Sequence, residues 1–98
     1  MSTNAIIKIE GIDLVEVYKH WDGYPEETLP WLEEFNKEFT KERGDDPEYK
    51  FAQLLRSSVS LGGNLFTGWG VVKSGKWHYD FKYILNKDGS VDVEENKC

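Results

Sequence analysis

The spacing of apolar residues changes period twice along this 98-residue chain, and the two changes confine it to one kind of architecture. Residues 4–10 alternate, with Ala5, Ile7 and Ile9 on one side and Ile6, Lys8 and Glu10 on the other, the period of a half-buried strand. Gly11 punctuates the run. Residues 12–20 then resume the alternation, setting Val15 and Val17 against Leu14, Glu16, Tyr18 and His20. A hairpin through residues 10–13 is the simplest link between strands this short.

The first change of period falls in residues 18–27, Y-K-H-W-D-G-Y-P-E-E. Asp22, Gly23 and Pro25 end the alternation, because Gly accepts positive φ and Pro fixes φ at a value suited to a turn or a first helical residue. From Thr28 the pattern is helical, with Leu29, Leu32, Phe35 and Phe39 on one face and Glu33, Glu34, Lys37 and Lys41 on the other. Thr28 reads as the N-cap, with Pro30 in the first turn, and the helix is expected to run to about Arg43. Gly44 fits a left-handed C-cap. Asp45 and Glu48 have the spacing of a capping box, with Pro47 between them, so a second helix follows at once. Its expected apolar face is Phe51, Ala52, Leu55 and Val59, flanked by Leu54, and it fades towards Gly62 and Gly63.

The strand period returns in runs at 65–73, 76–86 and 90–95, separated by S-G-K and N-K-D-G turns. Trp77, Tyr79, Phe81, Tyr83 and Leu85 alternate with His78, Asp80, Lys82 and Ile84, which makes one face of that run almost wholly aromatic. Residues from about 94 are polar and read as a frayed tail. The order β-β-α-α-β-β-β predicts a single α+β domain over residues 1–98: one mainly antiparallel sheet of about five strands with two helices packed on one face. The aromatic row is expected to meet Phe35, Phe39, Phe51 and Leu55. The opposite face, with Tyr18, His20, His78 and Asp80, is expected to be more polar.

A net charge of −6 argues against an electrostatic grip on nucleic acid or an anionic membrane, since both rest on clustered Lys and Arg. A basic protein or small-molecule partner fits better. Cys98 is the only cysteine, so no intrachain disulfide forms, and the N-terminus lacks the basic and apolar regions of a signal peptide. A cytoplasmic protein without a cofactor, monomeric or homodimeric, is the expectation.

Chemistry-bearing residues cluster where the period first changes. His20 and Asp22, spaced i and i+2, offer imidazole and carboxylate ligands, and His78 and Asp80 repeat that spacing. Together they make a four-ligand metal site if their strands are adjacent. The simpler account of His20, Asp22, Glu26 and Glu27 is a hydrogen-bonded turn and an acidic helix start. The run L-G-G-N-L-F-T-G-W-G lacks the features of a phosphate-binding loop, which leaves Trp69 as a contact residue or as a large side chain between two glycines. Tyr24 and Trp21 flank the turn as candidate recognition aromatics.

The segments S-T-N-A-I-I-K-I-E, Y-K-H-W-D-G-Y-P-E and F-T-G-W-G resemble a family of small uncharacterised proteins of prokaryotes and bacteriophages with a Tyr-x-His-Trp-Asp-Gly-Tyr-Pro core. Tyr18, His20, Trp21, Asp22, Gly23, Tyr24 and Pro25 carry the resemblance, which implies a site at these positions without naming its chemistry. Two functions follow as expectations. The first is a non-catalytic binding or interaction module, a host or phage accessory factor, that uses His20, Trp21, Asp22, Tyr24 and Trp69. The alternative is a small metal- or carboxylate-dependent enzyme that uses His20, Asp22, His78 and Asp80.

Overall fold

The structure, a computed structural model, describes residues 3–19, 24–62, 69–75 and 78–96. The chain forms β1 (Ala5–Ile9), β2 (Val15–Lys19), α1 (Pro25–Arg43), α2 (Pro47–Gly62), β3 (Trp69–Lys73), β4 (Phe81–Leu85) and β5 (Val91–Glu95). This is the expected α+β order, with a five-stranded sheet in the sequence β3-β2-β1-β4-β5. Three strand pairs are antiparallel, and the β1–β4 pair at the centre is parallel, matching Ala5 with Phe81 and Ile9 with Leu85.

The alternation in β1 is the foundation of the core. Ala5, Ile7 and Ile9 are buried with Val17, Tyr83 and Leu85, and Leu32 of α1 and Leu54 of α2 close over them. Each fully buried Leu contributes about 1.5–3 kcal/mol relative to an exposed one. Phe35, Phe51, Leu55 and Phe81 pack around this cluster. The centre of the α2 face is Leu54, fully buried, whereas Ala52 is exposed. Phe39 stacks on Phe35 and meets the Tyr49 ring at a tilt.

Helix boundaries follow the proline positions. α1 begins at Pro25, with Tyr24 as N-cap at φ −62° and ψ 144°, so the N-cap is not Thr28. Proline at the first helical position has its φ already set and has no N–H to leave unsatisfied. Thr28 instead lies one turn inside, buried, with its side chain bonded to the Tyr83 hydroxyl. Burial pushes that phenol up to about 12, opposed by the bond to Thr28. Gly44 ends α1 at φ 70° and ψ −140°, outside the left-handed helical well, and its N–H donates to Thr40 O. Asp46 rather than Asp45 then caps α2, its Oδ1 accepting from Tyr49 N–H at 3.4 Å.

The sheet face away from the helices is less open than its polar residues predict. Ile6 is 1% exposed and Glu16 3% exposed, although both point to this side. β3 lies at one edge and β4 beyond β1, so residues 74–80 must carry the chain across to β4. The described ends of this strap lie on the face opposite the helices. Gly75 N–H donates to Glu16 Oε1 at 3.0 Å, and the Tyr79 ring lies 5.9 Å from Lys82 Nζ. β4 itself starts at Phe81, so residues 78–80 of the alternating run precede the strand; Lys76 and Trp77 lie outside the described residues. At the other end β5 continues through Glu95, and Asn96 donates from its backbone N–H to Asp80 O and from Nδ2 to Tyr79 O. No described helix is long and apolar enough to cross a membrane.

Candidate functional site

One end of the sheet gathers the stretches that carry the sequence-predicted residues. Trp69, Lys19, Ala5, Phe81 and Glu95 form one register row across the five strands. The backbone of Trp69 opens β3, while its side chain lies outside the described residues. His20, Trp21 and Asp22 follow Lys19 directly and also lie outside them. Tyr24 is 41% exposed, its ring 6.3 Å from that of Phe81.

His78 and Asp80 approach the same end from the strap. His78 Nε2 is 3.7 Å from Asp80 Oδ1, with the His78 side chain largely exposed and that of Asp80 partly so. Asp80 Oδ2 accepts the Asn4 N–H at 3.0 Å, and Asn4 O accepts in turn from the Asp80 N–H. The carboxylate therefore ties the start of β1 to the start of β4, which accounts for an aspartate there without a metal. Among the described residues, no three His, Cys, Asp or Glu side chains gather closely enough to hold one.

A second site, absent from the sequence reading, lies on the opposite layer. Trp31, Phe35 and Phe39 follow one another at i, i+4 and i+8 on α1 and form a ladder, with ring centroids 6.0 and 6.2 Å apart. Tyr49 of α2 extends it, 5.9 Å from Phe39. Helical spacing of three to four residues places such side chains in one row, and a short three-residue link between α1 and α2 brings Tyr49 to its end. The row floors a groove of about 530 Å³ lined also by Glu34, Glu38, Glu42, Arg43 and Gln53.

The groove is electrostatically one-sided. Glu34, Glu38 and Glu42 are exposed and repeat the i, i+4, i+8 spacing three residues after each aromatic, so a carboxylate ridge runs beside the aromatic one. Arg43, the only cation among the described lining residues, is already engaged. Its Nη2 lies 3.2 Å from Asp46 Oδ2, and its guanidinium sits 3.9 Å over the Tyr49 ring. Arginine stacked on tyrosine and paired with a carboxylate is held in place by both contacts, which closes this end of the groove.

The signal for this site was present as Trp31, Phe35 and Phe39 at helical spacing. It reads as core because Phe35 and Phe39 fall on the apolar face, and in part it is: Phe39 is buried and Trp31 and Phe35 pack against the core cluster, while the same side chains line the groove. A comparison with protein-family models, curated proteins and solved structures finds no match to this chain.

Proposed function

We propose that this chain is a non-catalytic binding module whose recognition surface is the groove between α1 and α2. The observation that carries this reading is the ladder of Trp31, Phe35, Phe39 and Tyr49 along an open groove of about 530 Å³. Aromatic side chains supply large contact area with few rotatable bonds, and they dominate the energetics of protein interfaces. The volume falls in the range typical of ligand sites, roughly 300–1,000 Å³. The groove is framed by two helices anchored on a packed sheet, so its walls are in place before a partner arrives.

Selection from a phage-displayed peptide library, followed by amide chemical-shift mapping, tests this. Enriched peptides are expected to shift amides of residues 31–43 and 49–53 and to bind Tyr49→Ala at least about tenfold more weakly. Tyr49 is 41% exposed, so its removal leaves the core cluster intact. Shifts confined to the sheet end around Tyr24, or the absence of any enriched peptide, sink the proposal.

A further inference from the structure

We infer that the groove takes a cationic amphipathic helix, with Lys or Arg residues beside apolar ones at i, i+4 spacing; this rests on the binding reading above. The first support is the pairing of ridges. Aromatics 31, 35 and 39 and acids 34, 38 and 42 run in parallel. At about 1.5 Å rise per residue, each ridge extends roughly 12 Å. An elongated double track of this kind matches the ridge of a second helix better than a compact cation, because i±4 rows interdigitate between packed helices.

The second support is unspent charge. Among the described residues, Glu34, Glu38 and Glu42 have no ion-pair partner, whereas Arg43 is neutralised by Asp46. The groove thus presents three free carboxylates to its occupant. Lysine and arginine suit that position well, since their aliphatic stems lie along apolar surface while their charged ends reach the rim. A second copy of this chain fits poorly. The exposed face of α1 carries Glu33, Glu34, Glu38 and Glu42 against Lys37 and Lys41, so α1 docking on its own copy brings acid to acid.

Three synthetic helical peptides of about 14 residues, identical in their apolar positions and carrying Lys, Gln or Glu at the flanking ones, decide the matter by fluorescence anisotropy. The Lys peptide is expected to bind at least about tenfold more tightly than the Gln peptide, with the advantage shrinking at high salt. Substituting Glu34→Gln, Glu38→Gln and Glu42→Gln together should bring the Lys peptide to the Gln peptide's affinity. All three positions are exposed, and an unchanged thermal melt checks that the fold survives. Equal binding of Lys and Gln peptides, lost in Tyr49→Ala, overturns the cationic inference and leaves the groove reading standing. Lys-peptide binding undiminished by the triple substitution overturns it as well. Failure of all three peptides, together with an empty library selection, removes both.

Discussion

Asn36 of α1 grips the β4–β5 turn through a single nitrogen: Nδ2 donates to Ser90 O at 2.7 Å and to Asn86 O at 3.0 Å. The residue is fully buried, and it shares both acceptors: Ser90 O also takes the Asn86 N–H, and Asn86 O also takes the Gly89 N–H and Lys50 Nζ. Lys50 Nζ and Glu10 Oε1 hold the same turn, the first donating to Asn86 O and the second accepting from the Lys87 N–H. Asp88 accepts from the Ser90 N–H and hydroxyl, which hold its carboxyl below the usual range, and Gly89 supplies the positive φ of 98°. Asn36 is thus a polar rivet between the helix layer and the C-terminal hairpin, beside Lys50.

Replacing Asn36 by Ala is expected to cost about 1–2 kcal/mol in urea unfolding at neutral pH, since two hydrogen bonds are lost but each carbonyl keeps another donor. Asn36→Asp should be worse at pH 7 than at pH 3. A carboxylate facing two carbonyl oxygens has its folded pKa raised above the unfolded value, so stability present at low pH is lost as pH rises through the folded pKa. Equal unfolding midpoints for the Asp variant at the two pH values, after correction for wild type, would show that the site is more hydrated than its burial indicates.

Glu16 anchors the strap on the other face, with Oε1 bonded to Gly75 N–H and Oε2 3.8 Å from Lys82 Nζ. Glu16→Gln keeps an acceptor for Gly75 and is expected to cost about 1 kcal/mol, whereas Glu16→Ala removes both contacts and should cost about 2–3 kcal/mol. Amide exchange supplies the specific readout. The Gly75 amide should stay protected in the Gln variant and exchange quickly in the Ala variant; equal protection in both would remove Glu16 from the role of anchor.

Lys50 offers a pH test. It is 3% exposed, and its Nζ donates to Asn86 O at 3.4 Å and lies 5.5 Å over the Phe39 ring. Burial holds its ammonium below the ordinary lysine value, against the pull of Asp45, Glu10 and Asp88. The folded state therefore releases this proton before the unfolded state does, and the lysine's contribution improves as pH rises from its folded pKa towards about 10.5. Lys50→Met is expected to match or exceed wild-type stability at pH 7, by up to about 1 kcal/mol, because it removes a desolvated charge while Asn36 still donates to Asn86 O. Its advantage should narrow at alkaline pH. A clear loss at pH 7 would mean that the Asn86 bond and the acidic neighbours outweigh desolvation.

Local periodicity is legible in this sequence, and long-range partnership is not. Ala5, Ile7 and Ile9 declare the buried side of β1, and Leu32 and Phe35 declare the inner face of α1, because each pattern repeats within a few residues. Ile6 and Glu16 look solvent-facing by the same rule and are buried; the partner that engages Glu16, Gly75, lies 59 positions later. Asn36 interrupts an apolar face without a local cue, its carbonyl partners lying 50 and 54 positions away. Thr28 resembles a cap because threonine is a common one; Pro25 makes the earlier start, and Tyr83 claims the hydroxyl. Of the candidate site residues, Tyr24, His78, Asp80 and the Trp69 backbone converge on one sheet end, where adjacency across strands could not be read from spacing alone. The groove has no local signature, because a row of aromatics at helical spacing looks the same in sequence whether it is wholly covered or leaves an edge lining a groove.

The parallel pairing of β1 with β4 also sets a timetable. The link from Asn4 to Asp80 spans 76 positions, so β1 is made well before the strand that completes its pairing. β1, β2, the helices and β3 can come together earlier, yet until β4 arrives β1 is an edge, with Ile6, Ile7 and Ile9 along an unpaired backbone. Non-local closure of this sort slows folding and lengthens the exposure of such an edge. The C-terminal hairpin behaves as a latch. A chain without it leaves one side of β1 unpaired, with Ile6, Ile7 and Ile9 along that edge.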